Sequence, residues 1–293
     1  MYRVITLLLV IFTVSGVFAD AKTDITGILE WDTMQIKAAV SLDLASAGIK
    51  LPAGRVQGES LLSESYLHLV QPGILDLQVD SSSTIADLIN RGEFSLPETE
   101  TIALNINPLP PALSSDMQKM TTSFIIPLSG ISSAILRHSR PTQVARTLTP
   151  VSTAQYTGIV IIASENLPVY GMRNTAIAVP CLFPKIWDSD MNLVYERNML
   201  ESRNISMVHY SPLKGIFQKN PSGLSPELQA VVGDKPLKIF ASGVFGIKPT
   251  DLIINKNDAM LIISSEENRR LLSQGKVAII LDESVLKQEF ISK

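Results

Sequence analysis

The chain holds one cysteine, Cys181, in 293 residues. No intramolecular disulfide can form, so stability must come from an ordinary hydrophobic core, which this length can supply. Cys181 lies among Pro180, Leu182 and Phe183, an apolar setting that suits a buried small hydrophobe; a reactive thiol needs a neighbouring base or a helix N-terminus. Aromatic residues are 6% of the chain, too few to favour the aromatic-lined clefts in which paired carboxylates cleave glycosides. Basic runs are missing and the formal net charge is −3, which argues against nucleic acid and anionic lipid as partners. No Walker loop, dinucleotide glycine fingerprint or Gly-x-Ser-x-Gly elbow occurs, and Gly243-Val244-Phe245-Gly246 alone reads as a turn. These absences lower the expectation of an enzyme without removing it.

What the sequence does have is a leader. Arg3 precedes the apolar run of residues 4–12, the chain loosens through Thr13, Ser15 and Gly16, and small residues precede Asp20. That is the layout of a secretory signal peptide, with cleavage after Ala19 or, on the Ala19-Asp20-Ala21 spacing, after Ala21. The run falls short of the ~20 apolar residues a spanning helix needs, although an uncleaved anchor over residues 1–18 is the competing reading. Lipid attachment would require a cysteine at the cleaved bond, so the expectation is a periplasmic protein without a lipid anchor. Removing residues 1–19 leaves about 274 residues with 24 basic and 28 acidic side chains, enough for two domains.

The expected fold is α/β to α+β, with two mixed-sheet halves. The boundaries read as signal peptide 1–19, an N-terminal α+β domain 20–138, a linker 139–155 and a C-terminal α/β cassette 156–293. In the first half, residues 36–44 alternate with period two as a half-buried strand, and 55–70 carry apolar residues at helical spacing until Pro72-Gly73. Asp80-Ser81-Ser82-Ser83 supplies N-caps for a helix over 84–90, a strand follows at 121–128 and a short helix at 129–137. Prolines and threonines crowd 139–155, which reads as extended and solvent-facing. In the second half, 156–163 and 277–281 read as buried strands, and 178–187 as a strand interrupted by Pro180 and Pro184. Shorter strands are expected at 193–196, 207–210 and 237–242. Helices are expected at 259–263, capped by Asn257-Asp258, and at 266–274, ended by Gly275.

Four polar groupings invite a chemical reading. Asp188-Ser189-Asp190-Met191-Asn192, followed by Glu196, begins as calcium loops do, but the sixth and twelfth positions are Leu193 and Met199 rather than Gly and Glu. The competing reading is a hairpin turn, for which Asp and Asn are suited. Glu30 and Asp32 are spaced to share one strand face ~7 Å apart, as a catalytic pair or as a solvated edge. Ser-x-x-Lys occurs at Ser211–Lys214 and Ser284–Lys287, without the Ser-Asp-Asn or Lys-Thr-Gly partners that a lysine-activated serine uses. His68, His138 and His209 are far apart and poor metal or base candidates. No catalytic, cofactor-binding or metal-binding residue is therefore assigned, and no cofactor is expected.

An ordered set of segments in the second half is more specific than any of these. Tyr156 to Ile161, Pro184-Lys185-Ile186, Asp188 to Tyr195, Asp234 to Ile239, Thr250 to Ile254, Asp258-Ala259 and Lys276 to Asp282 together resemble a cassette of the FlgP-like flagellar envelope lipoproteins. Residues 181–198 and 41–55 are similar to uncharacterised exported proteins of spirochaetes. The lipid-bearing cysteine of the lipoproteins is missing, and Ile162-Ala163-Ser164-Glu165-Asn166 replaces their Asp-Ala-Arg-Gly run. The resemblance implies a non-enzymatic envelope protein acting through contacts with envelope or flagellar proteins. The alternative is a periplasmic ligand-binding or hydrolytic protein with a pocket between the halves, using Asp188, Asp190, Glu30 or Asp32.

Overall fold

The computed structural model describes residues 23–104, 108–138, 140–201 and 206–290. The signal segment 1–19 lies outside the described residues. The first half opens with strands β1 (Thr23–Glu30) and β2 (Gln35–Asp43), an antiparallel hairpin. Along β2, Ile36, Ala38, Val40 and Leu42 are buried while the intervening positions face outward, the alternation expected of a sheet covered on one side. Helix α1 (Arg55–Leu75) supplies that cover. Leu62, Tyr66, Val70 and Ile74, four residues apart, are buried and lay one stripe along the sheet. Tyr66 stacks on Phe124 with ring centroids 3.6 Å apart.

Helix α2 (Ile85–Asn90) follows, capped by Thr84 rather than by the serines before it. Asp87 N–H donates to Thr84 Oγ1 and Thr84 N–H donates to Asp87 Oδ2, a reciprocal capping box. Helix α3 (Leu96–Leu104), which the sequence reading lacked, starts where Glu98 accepts from Ser95 N–H and Oγ. Strand β3 (Ala112–Leu113), strand β4 (Lys119–Pro127) and helix α4 (Leu128–Ile135) complete this half.

The second half carries β5 (Ile159–Ile162), a small hairpin of β6 (Asn166–Pro168) and β7 (Thr175–Ile177), then β8 (Ile186–Asp188), β9 (Leu193–Tyr195) and β10 (His209–Pro212). Residues 178–185 form no strand: Pro180 and Pro184 remove ladder donors, and of the expected 178–187 strand only Ile186 and Trp187 belong to β8. Helix α5 (Pro226–Val232), β11 (Leu237–Phe245), β12 (Asp251–Ile254), helices α6 (Lys256–Ile263) and α7 (Glu266–Ser273), β13 (Val277–Leu281) and β14 (Lys287–Glu289) follow. Gly243 to Phe245 finish β11, so the expected turn there reduces to Gly246, whose φ is 109°. Helix α7 stops ahead of Gly275, at φ 66°, as expected, and opens at Ser265, whose Oγ accepts from Asn268 N–H. Asn257 and Asp258 do not cap α6 but lie in its first turn, behind an N-cap at Asn255 that makes no side-chain bond.

These strands form a seven-stranded mixed sheet of order β10-β13-β5-β11-β12-β8-β9. The parallel centre is buried on both faces, as the continuous apolar runs of β5 and β13 require. Ile161, Ile239 and Ile279 share a core with Ala259, Ile262 and Leu272 of α6 and α7. On the other face Val160, Ile162, Ala278 and Ile280 meet Leu228 and Val232 of α5.

The halves are joined by more than the linker. Residues 140–155 are irregular, as expected, but not free in solvent. Thr142 N–H donates to Asn198 O, Thr153 Oγ1 to Leu261 O, and buried Asn268 donates through Nδ2 to Ala154 O. Across the halves, Leu182 and Phe183 N–H donate to the carbonyls of Gln78 and Val79, and Lys248 N–H to that of Ser81. Strand β14, read from the sequence as part of the second half, leaves it and pairs with β1, giving a first sheet of order β14-β1-β2-β4-β3. One continuous hydrophobic core runs from Ile25 to Phe290. Among the described residues, no helix is long and apolar enough to cross a membrane.

Candidate functional site

The polar groupings singled out from the sequence are each held by structure. Asp188 to Asn192 is the β8–β9 hairpin turn. Asp188 Oδ1 accepts from the N–H groups of Asp190 and Asn192 at 2.9 and 2.8 Å, and Oδ2 from Asn192 Nδ2 at 2.9 Å. Asp190 instead turns outward to Lys256 Nζ at 2.6 Å. Among the described residues no group of acids, histidines and cysteine is placed to hold a metal ion.

Glu30 ends β1, while Asp32 sits in the turn beyond it and is exposed, so the two do not share a strand face. Glu30 accepts from Lys37 Nζ at 2.6 Å and Thr33 Oγ1 at 3.1 Å, with Lys287 Nζ at 3.6 Å. The Lys37 bond holds its carboxyl below the usual carboxylate range. Of Asp188, Asp190, Glu30 and Asp32, only Asp32 lines any of five surface cavities among the described residues.

Neither Ser-x-x-Lys spacing lies on an α-helix. Ser211 Oγ donates to Pro212 O, and the backbone of Gly215 lies over it: a Cβ on Gly215 would fall 2.2 Å from that hydroxyl. Lys214 pairs with Glu283 at 2.6 Å. Ser284 donates its N–H and Oγ to Asp282 Oδ1, which caps that turn, and Lys287 belongs to β14. His68 is exposed on α1, and a ring nitrogen of His138 meets Leu200 O at 2.8 Å. His209 is half-buried, and burial lowers its pKa. Cys181 is fully buried and free; burial pushes its thiol far up, and its N–H and C=O both bond to Tyr210 Oη. The fold does bring Asp32, His209, Ser211 and Lys214 together around a cleft of about 410 Å³ between the halves.

A different feature stands out on the first sheet. Helix α1 covers one face; no helix or strand of the described residues covers the other, here called the bare face. On that face Thr26 and Ile28 of β1, Ala39 of β2, and Ser123 and Ile125 of β4 are neighbours by register, since Ile28 pairs with Lys37 and Lys37 with Ile125. With Leu109 they line a shallow concavity of about 560 Å³. Ile28 and Ile125 are each 46% exposed and Leu109 is 53% exposed, apolar side chains in water on a face otherwise lined by Thr26, Ser123 and the charged Lys37 and Glu289. Lys37, between Ile28 and Ile125 in that row, and Glu289, opposite Ile28, line the concavity as well, and Glu30 holds Lys37 and Lys287 beside it. Sequence reasoning passed over these residues. The signal was present in Ile28-Leu29 and Ile125-Ile126, pairs that break the alternation of a strand with only one apolar face.

The fold and this face together define a mixed α/β protein of two interlocked units, with an uncovered apolar sheet face on the first. Residues 22–134 match the family described as Treponema pallidum Tp0624, N-terminal domain, and residues 158–283 match Treponema pallidum Tp0624, second domain. The chain therefore carries both domains, in that order, which agrees with the spirochaete likeness of residues 181–198 and 41–55. No curated protein matches the chain.

Proposed function

We propose that this is a non-enzymatic protein of the periplasmic envelope that works by binding other proteins through the bare face of its first sheet. The observation that carries this reading is the set of exposed apolar residues Ile28, Ala39, Ile125 and Leu109, grouped around Lys37, on a face that no part of the described chain covers. Exposed apolar area flanked by polar residues is what a protein partner desolvates. Export rests on the leader ending near Ala19, and the envelope or flagellar setting rests on the FlgP-like resemblance of the second half. The test is a photo-reactive residue at Ser123, at the middle of the face, with the same residue at His68 on α1 as the control. Irradiated cells should give a discrete adduct from position 123 alone. Equal or absent labelling at both positions overturns the reading, and recovery of the chain in the cytoplasmic fraction overturns export.

The alternative of a ligand-binding or hydrolytic protein is supported by the 410 Å³ cleft between the halves, where His209 stands near Asp32 and Lys214. Its test is a thermal-shift screen of small polar compounds against the protein and its His209→Ala variant. A compound that stabilises only the former supports that reading.

A further inference from the structure

Strand β14 is the edge of the first sheet, and among the described residues it pairs only with β1. Trp31 N–H donates to Leu286 O at 2.9 Å and Phe290 N–H to Gly27 O at 2.7 Å. In an antiparallel ladder the inward-bonding residues alternate, so Leu286, Gln288 and Phe290 turn their backbone groups toward β1. The N–H and C=O groups of Lys287 and Glu289 then point to the open edge. Lys287, Gln288 and Glu289 are all exposed, and buried Phe290 anchors the strand at its end, so the edge is accessible and preorganised.

We infer that this edge pairs with the same edge of a second copy, antiparallel and centred on Gln288. In that register Lys287 lies opposite Glu289 of the other copy, and Glu289 opposite its Lys287. Both are hydrogen-bonded positions of the new ladder, so all four outward backbone groups find partners. Two cross-strand Lys–Glu pairs form on one face. Charged residues on a short edge ordinarily discourage pairing. That holds where a copy meets its own sign, as in the registers that place Lys287 or Glu289 opposite itself. Centring on Gln288 is the register that pairs opposite signs.

The product is a ten-stranded sheet with two-fold symmetry, in which the bare faces of two copies lie side by side. A three-residue pairing buries far less than the ~1,200–2,000 Å² of a stable interface, so the dimer is weak and concentration-dependent. The inference does not depend on the binding role proposed above: the edge is used whether or not the face binds anything.

The test uses disulfide trapping in the whole protein. Gln288 and its counterpart form a non-hydrogen-bonded pair with Cα atoms ~4.5 Å apart, within disulfide reach. Gln288→Cys should cross-link into a covalent dimer under mild oxidation at least tenfold faster than the exposed control Ser60→Cys, because buried Cys181 does not compete. Adding Glu289→Lys or Lys287→Glu places like charges opposite at both symmetric positions and should slow trapping about tenfold. Combining the two exchanges the signs and should restore it, which a merely damaged strand would not do. Trapping no faster than the control, or no restoration in the double exchange, overturns the inference.

Discussion

The ring of Phe290 occupies the space that a side chain on Gly73 would fill: a Cβ there would lie 1.8 Å from Phe290 Cε2 and 1.9 Å from Cζ. A Cβ on Gly27 of β1 would likewise lie 2.9 Å from Cδ1 of the same ring. One glycine in a helix and one in a strand thus form a slot for an aromatic residue that arrives from more than two hundred positions later in the sequence. Phe290 is 6% exposed in that slot.

Phe290→Ala should therefore cost about 3–5 kcal/mol, the usual loss for a buried phenylalanine. Gly73→Ala should be destabilising to a similar degree, because the added methyl and the ring cannot both fit. The two changes should not add: once the ring is gone, the methyl introduced on Gly73 has room. Urea unfolding of both single variants and the double variant checks this, with a coupling above about 1 kcal/mol expected.

Tyr66 makes the opposite case. Its ring is buried and stacked on Phe124, but its hydroxyl has no hydrogen-bond partner among the described residues, and burial raises its pKa well above the ordinary range. A buried, unpaired hydroxyl costs about 1–3 kcal/mol. Tyr66→Phe keeps the stack and removes the orphan group, so the variant should be more stable than the parent, by about 1 kcal/mol in urea unfolding.

Asp251 ties the halves together at a buried carboxylate. It accepts from Lys185 N–H, Thr250 Oγ1 and Trp187 Nε1 of the second half and from Ser81 Oγ of the first, at 3.2–3.4 Å. Burial raises its pKa above 3.8 despite those donors and the nearby Lys185 charge. A carboxyl raised on folding binds its proton more tightly folded than unfolded. Its contribution is present in full below the unfolded value and is lost as pH rises through the folded value. Acids whose pKa is lowered, such as Asp87 by its bonds to Thr84, act in the reverse sense. Only the difference between parent and Asp251→Asn isolates the effect. That difference should move in favour of the variant as pH rises above about 4 and then level off, in urea midpoints taken across pH.

What could be read from the sequence followed how local the cause was. The alternation of Ile36, Ala38, Val40 and Leu42 is a property of adjacent residues, and it placed β2 correctly. The capping box of Thr84 with Asp87 and the bonds from Ser95 to Glu98 are equally local, yet α3 is hard to read because its opening Leu96-Pro97 looks like punctuation. Strand β14 was illegible for another reason. Three exposed polar residues carry no period, and their partner Glu30 is more than 250 positions away. The bare face shares that difficulty, since Ile28 and Ile125 become a site only once it is known which side α1 covers.

The Asp188 turn tests whether a loop that begins like a calcium site is a turn in fact. Its carboxylate oxygens already accept three donors from Asp190 and Asn192, Asp188 is 6% exposed, and Met191 sits at φ 61° to complete the turn. Asp188→Ala leaves those donors without their acceptor and should cost about 1–3 kcal/mol. Asp190→Ala removes only a surface pair with Lys256, both partners being more than half exposed, and should cost about 1 kcal/mol or less. A metal loop would respond in another way: millimolar calcium would raise the melting temperature and chelation would lower it. Here neither treatment should move it, because an ion would have to break the turn to reach the oxygens that make it.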